Sequence, residues 1–266
     1  MKRSKVVIGI FVALLLIALT IVLLACTVFV VRDITVVKAV VSPLLDEERI
    51  VESSDISKGQ SIISLDKEKT AANIEKAIPY AEVTSITREF PSKVVINVTI
   101  RTGTMAVSSE DEHSLAIIDS KLKVLNVISV TEQTVGLTVI KGAKFRIPDE
   151  GAVSLIGSFA EFTNDSCKAM LSEIADAAAK LAIEGKSFST FFKEISFVTG
   201  EGIKAYVRTN KGVALVLDST RTASVYTQLF ECMNVFVFDK SSDLTKGFIT
   251  LTSNLEGIGY MWTETE

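Results

Sequence analysis

The residues able to do covalent or metal chemistry are few, and their spacing does not suit it. The 266-residue chain has one histidine, His113, and three cysteines, Cys26, Cys167 and Cys232. His113 lies in the polar run Ser108-Ser-Glu-Asp-Glu-His-Ser114, which reads as a hairpin tip, so its imidazole is expected in solvent rather than in a site. No CxxC pair exists. Cys167 and Cys232 each sit in a helical pattern and are read as two buried thiols, with a disulfide between them as the alternative. There is no GxSxG, no HExxH and no glycine-lysine phosphate loop. The carboxylate pairs Glu47–Glu48 and Glu110–Asp111 fall in polar runs that belong in water. An Asp/Glu glycosidase would also need aromatic residues along a sugar-binding cleft, and the chain has one tryptophan, close to its C-terminal end. No catalytic residue, cofactor-binding residue, cofactor or metal ligand is assigned, and the expectation is a protein that is not an enzyme. Recognition through a sheet edge needs none of these groups. Unpaired backbone N–H and C=O groups add a partner strand, and alternate side chains supply selectivity.

Several elements have to position such an edge, and the first is not a strand. From residue 6 to residue 31 there is no charged residue, and Leu14, Leu15, Leu16, Ile17 and Leu19 lie at the centre of that run. About 20 helical residues cross the hydrocarbon core of a bilayer. The run is too long for a cleaved signal peptide, and its C-terminal end is bulky or β-branched, so it is read as an uncleaved anchor. Lys2, Arg3 and Lys5 precede it, while Arg32 behind it is balanced by Asp33. The positive-inside rule then keeps residues 1–5 in the cytoplasm and exports the rest. Such a tail is too short to hold a folded module. Setting aside Lys2, Arg3 and Lys5 leaves 25 cations against 32 acids, so the exported part carries −7. That charge disfavours nucleic acid and anionic membrane as ligands. The anchor also accounts for much of the mean hydropathy of +0.39.

Beyond the anchor, residues 34–41 read as a strand. Ser42-Pro43 is expected to cap a short helix reaching about Ser53, with Asp46, Glu47 and Glu48 in its first turn. Leu65-Asp66 opens a second helix, on which Ala71, Ile74, Ala77 and Ile78 recur at helical spacing until Pro79. Two strands follow, over residues 83–90 and 94–100. In the second, Val94, Ile96, Val98 and Ile100 alternate with Val95, Asn97, Thr99 and Arg101. The order is β-α-α-β-β.

The string Ser61-Ile-Ile-Ser-Leu-Asp66, Ile78-Pro-Tyr-Ala-Glu-Val83 and Arg88-Glu-Phe-Pro-Ser-Lys-Val-Val-Ile-Asn-Val98 resembles the POTRA domain of the bacterial cell division family FtsQ/DivIB. The resemblance continues through Ala116-Ile-Ile-Asp119 and Ile147-Pro-Asp-Glu-Gly151. It implies an α+β fold with a single N-terminal transmembrane helix, a POTRA domain and a mixed antiparallel β-domain with packed helices. The boundaries implied are a cytoplasmic tail at 1–5, an anchor at 6–31, a POTRA domain at 32–102 and a β-domain at 103–266 that ends in an edge strand.

The residues of the second half give the same layout unaided. Strand patterns occur at 115–118, 123–127 and 137–140, before a helix near 166–182 with Leu171, Ile174, Ala178 and Leu181 on one stripe and Gly185 as its C-cap. Strands at 192–198, 203–208 and 213–217 are separated by Gly200-Glu-Gly202 and Asn210-Lys-Gly212, which implies a meander. A helix near 222–233 and strands at 247–252 and 258–262 complete the chain.

The family resemblance further implies a non-enzymatic scaffold of the septal division machinery in the cell membrane. Its β-domain receives FtsB-like (DivIC-like) and FtsL-like single-span coiled-coil proteins on its C-terminal sheet. Carried over by order, the partner-binding residues are Phe248, Thr250, Thr252, Tyr260 and Trp262, with Tyr226 and Phe230 on the adjacent helix. These aromatics read equally as core or rim residues. Two other classes remain: a different anchored POTRA interaction protein, which would need tandem POTRA repeats or a β-barrel signature, and a wall-active enzyme.

Overall fold

The structure is a computed structural model that describes residues 2–132, 134–147, 155–180, 188–238, 246–254 and 257–263. Within these ranges the side chains of 2–10, 22, 24–26, 188, 235–238, 252–254 and 257–263 are outside the description. The chain divides into two compact units, Met1–Arg101 and Thr102–Glu266.

The first unit opens with helix α1 (Lys2–Thr27). From Phe11 to Leu23 the large apolar side chains described stand exposed on every side of this helix. Among the described residues no helix is long and apolar enough to cross a membrane. The unbroken stretch of α1 with described side chains runs only over 11–21, about half the length a span requires.

Strand β1 (Asp33–Lys38) is shorter than its valine-rich sequence predicts. It leads into α2 (Glu47–Ser53), whose cap is Asp46 rather than Ser42. Ser42 is spent on a turn, its hydroxyl accepting from Leu44 N and its carbonyl from Leu45 N, while the Asp46 carboxylate takes the orphan amide of Glu48. Helix α3 (Lys67–Ala77) starts where predicted, capped by Asp66 through Lys69 N at 3.0 Å. Strands β2 (Ala81–Glu89) and β3 (Lys93–Ile100) form a hairpin, and β3 lies in the middle of the sheet β1-β3-β2, parallel to β1. Ile74 and Ile78 of the helical segment share one buried cluster with Val36, Ile86, Ile96 and Val98. Val95, predicted on the outer face, is nearly buried as well, because a central strand has neighbours on both edges.

Among the described residues the second unit holds one mixed sheet of nine strands in the order β12-β11-β10-β9-β8-β7-β4-β5-β6. Its strands are β4 (Met105–Ser109), β5 (Ser114–Ile118), β6 (Val124–Ser129), β7 (Thr138–Phe145), β8 (Phe192–Thr199), β9 (Ile203–Thr209), β10 (Ala214–Asp218), β11 (Phe248–Asn254) and β12 (Gly257–Thr263). Strand β4 has no counterpart in the sequence reading. Met105, Ala106, Val107 and Ser109 are all buried, so the strand lacks the alternation of a half-exposed one. The predicted meander is present as β8-β9-β10, whereas β4–β7, β7–β8 and β10–β11 are parallel. Parallel neighbours need crossovers. Those of β7–β8 and β10–β11 carry α4 (Asp165–Lys180) with the short α5 (Phe188–Phe191), and α6 (Val225–Phe238). α4 and α6 pack together over one core that includes Leu171, Ile174, Leu229, Cys232 and Ile249. The predicted C-cap Gly185 and Leu181 lie outside the described residues. His113 is exposed on the β4–β5 hairpin, as expected.

Candidate partner-binding edge

Among the described residues strand β12 stands at the end of the sheet order, next to β11. The register sets Phe248 opposite Thr263, Ile249 opposite Trp262, Thr250 opposite Met261, Leu251 opposite Tyr260 and Thr252 opposite Gly259. Directly opposed residues of an antiparallel pair share a face. Ile249 and Leu251 are buried, and the Ile249 carbonyl lies 3.8 Å from Cys232 Sγ of α6, so their face is the helix-covered one. Trp262 and Tyr260 hold the register positions of that face, while Phe248 and Thr250 alternate to the other and are half-buried. Register thus places Tyr260 and Trp262 opposite Leu251 and Ile249, and Phe248 and Thr250 at the alternate positions of β11. The side chains of Thr252, Tyr260 and Trp262 are outside the description.

Tyr226 and Phe230, one helical turn apart on α6, are 40 % and 38 % exposed and stack in parallel at 6.2 Å between ring centroids. Lys180 of α4 holds its ammonium 5.8 Å from the Tyr226 centroid, within cation–π range. The stack is thus bound to the α4–α6 surface, a neighbour the sequence reading did not name.

Residues missed by the sequence reading hold the frame behind β11. Gln228, buried in α6, accepts from Asp218 N at 2.8 Å and donates to Asp218 O and Ala223 O at 2.9 and 2.8 Å. Asp218 is the last residue of β10. Burial opposes ionisation of its carboxyl, but the hydroxyl and amide of Thr220, with Lys204 and Arg221 nearby, outweigh that and hold its pKa below the ordinary range. Arg221 reaches Thr250 Oγ1 at 3.4 Å. Cys167 and Cys232 are free and buried. Burial raises both thiol pKa values, Cys232 to about 12, so neither is a nucleophile at neutral pH. Among the described residues no three His, Cys, Asp or Glu side chains are placed to hold a metal ion.

In the first unit the resemblance motif has a structural meaning. Arg88 donates to the Leu65 carbonyl and so ties β2 to the turn before α3. Arg101, buried, pairs with Glu75 at 2.8 Å and donates to the Ala81 carbonyl at 3.1 Å, while Glu75 accepts from Val83 N at 3.0 Å.

Fold and site together define a mixed α+β protein with a small helix-covered unit and a large sheet whose strand order, among the described residues, ends at β12. Residues 32–100 match the family model described as POTRA domain, FtsQ-type, and the chain carries that domain. No curated protein matches the chain. FtsQ-type POTRA proteins are non-enzymatic, and the domain points to a division-related scaffold working by protein–protein interaction.

Proposed function

We propose that this chain is a bitopic membrane scaffold of the bacterial divisome that captures FtsB/DivIC-like and FtsL-like single-span partners outside the cytoplasm by strand addition at β12. The observation that carries the reading is the edge itself: Gly257–Thr263 contains no charge and no proline, and β12 stands at the end of the sheet order. Those are the features an edge loses when pairing must be prevented. The opposite end of the sheet is partly occupied, since Val124 of β6 exchanges backbone hydrogen bonds with Ser158 and Gly157.

The domain layout follows the sequence: tail 1–5, anchor 6–31, POTRA 32–102, β-domain 103–266. α1 supports the anchor. A helix exposing apolar side chains all round has no protein core to face. Thr20 and Thr27 return their hydroxyls to Leu16 O and Leu23 O, which satisfies them without water. The Lys2, Arg3 and Lys5 cluster favours the exported orientation, and the FtsQ-type POTRA domain supports a place in the cell membrane at the septum.

Deleting residues 258–266 should abolish capture of small coiled-coil membrane proteins from a membrane extract while the POTRA domain stays folded and the chain stays in the membrane. Retention of those partners by the deletion variant would sink the edge reading. A C-terminal alkaline phosphatase fusion should be active, and activity of a cytoplasm-only reporter at that position would overturn the topology.

A further inference from the structure

The first unit places an exposed aromatic hairpin tip at the exit of α1, with almost no slack between them. Helix α1 ends at Thr27 and β1 begins at Asp33. The short connection is pinned on two sides. Ile62 N donates to Phe29 O at 3.0 Å, Val31 N to Gln60 O and Gly59 N to Val31 O at 2.8 Å, and Arg32 N to Ser92 O at 2.8 Å. Arg32 also turns back, its guanidinium donating to the Thr27 carbonyl at 3.1 Å, a cation closing the negative end of the helix.

These bonds bring the β2–β3 hairpin tip to the end of α1. Phe29, two residues past the helix, meets the Phe90 ring edge-to-face at 5.9 Å. Phe90 is nonetheless 60 % exposed, and Ile63, next to the pinned Ile62, is 51 % exposed. Arg32, Lys58 and Lys93 lie in the same segments, with Asp33 and Glu89 among them, and Lys93 is paired to Glu89 at 3.2 Å. Aromatic and aliphatic side chains mixed with cations at the end of a span belong in the headgroup region.

We propose that the hairpin tip at Phe90, with Ile63 of the segment pinned to the same connection, inserts into the outer headgroup–acyl boundary of the bilayer that α1 crosses, so that the POTRA domain sits directly on the lipid. The occupant of this apolar tip is the lipid interface and not a protein, because the hydrogen-bonded connection leaves the tip no reach away from the end of the helix. The inference rests on α1 being a span, as proposed above. The same geometry makes the far end of β1 a lipid-free reference. Parallel to β3, with Asp33 opposite Lys93 and Lys38 opposite Val98, β1 runs away from the hairpin tip for roughly 16 Å over its five residue steps, and Val41, 91 % exposed, lies beyond it.

The test uses the full chain in phosphatidylcholine vesicles, with and without brominated acyl chains. Phe90→Trp and Val41→Trp each add one tryptophan to Trp262, and the parent supplies the baseline. Co-flotation with the vesicles, together with a blue-shifted added emission that brominated lipid quenches for Phe90→Trp and not for Val41→Trp, supports the inference. Ile63→Trp replaces Phe90→Trp if that variant does not fold. Flotation with an unquenched tip tryptophan, or with equal quenching at Val41, overturns tip insertion and leaves the anchor standing. Failure to float removes the anchor and the tip insertion together.

Discussion

The two units treat the edges of their sheets in opposite ways. β2, an edge of the three-stranded sheet, carries Glu82, Arg88 and Glu89 and breaks register between Val83 and Ser85. Side chains also occupy its backbone: the Glu75 carboxylate accepts from Val83 N, and Arg101 donates to the Ala81 carbonyl. Charges, a bulge and occupied backbone groups are the devices that stop an edge from acquiring another strand. β12 in the second unit carries neither a charge nor a proline, and its pairing with β11 is regular from Asn254–Gly257 to Phe248–Thr263. The contrast separates a unit whose edge groups are consumed internally from one whose last strand in the sheet order has the uncharged, proline-free sequence that the proposed strand addition requires. It also locates the cost of each design, electrostatic in the first unit and aggregation hazard in the second.

The most damaging test of the first half of that contrast is Arg101→Ala. It removes the Arg101 cation from the partly buried Glu75 and the donor from the Ala81 carbonyl of β2, and breaking a pair of this kind costs about 3–5 kcal/mol. The exposed fifth of the Glu75 side chain places the expectation toward the lower end. Hydrogen exchange in the full chain should accelerate over 67–100 and leave 192–218 unchanged; acceleration of both units alike would dissolve the comparison. Next in size is Ile96→Ala, a cavity at a fully buried position of β3, expected to cost about 2–5 kcal/mol. Asn97→Ala, which removes an exposed side-chain bond to Ser85 at 2.9 Å, should cost well under half of that. Equal losses would mean that the face assigned to the core of the first unit is wrong.

The first unit was the more legible in sequence. The start of α3, its Pro79 stop and the Ile74–Ile78–Ile96–Val98 core follow from periodicity and capping. Ser42-Pro43 misled because a serine–proline pair suits a turn as well as a cap, and the nearby Asp46 is the stronger acceptor. In the second unit β4 was missed, since a strand buried on both faces loses the period of two that announces it. The parallel pairings are not readable from local pattern at all. The place of Tyr226 and Phe230 beside Lys180 depends on α4 meeting α6, a long-range packing event that no local pattern announces.

The edge itself can be tested more gently than by deletion. Tyr260→Ala and Trp262→Ala should each weaken partner capture about tenfold or more if an aromatic anchor sits at the interface centre, where truncations typically cost 2 kcal/mol or more. Tyr260→Lys lends β12 the charge that β2 uses and should act in the same direction. Circular dichroism of each variant separates lost binding from lost fold. Unchanged capture by all three, with the fold intact, would put the docking edge elsewhere on the sheet.

The smallest expected effect asks whether the frame behind the open edge is electrostatically fastened as the first unit is. Asp218 ends β10, receives the Thr220 amide and hydroxyl at 2.9 and 2.6 Å, and lies 3.8 Å from Lys204 Nζ. Its folded pKa lies below the ordinary 3.8. The native state therefore binds fewer protons than the unfolded chain in the window between the two values, and stability rises with pH across it. The contribution of the carboxylate is fully present above the unfolded value and disappears as pH falls through 3.8 towards the folded one. Asp218→Asn removes the charge and keeps an acceptor for Thr220. The parent should thus be the more stable at pH 7, with the difference in thermal midpoint shrinking as the pH is taken from 5 to 3. Hydrogen exchange across 218–228 should follow the same course, because Gln228 of α6 grips the Asp218 backbone at 2.8 and 2.9 Å. A difference that stays constant with pH, or grows on acidification, would show that the frame behind β12 is held by packing and amide bonds alone, which would sharpen the contrast with the Glu75–Arg101 bolt of the first unit.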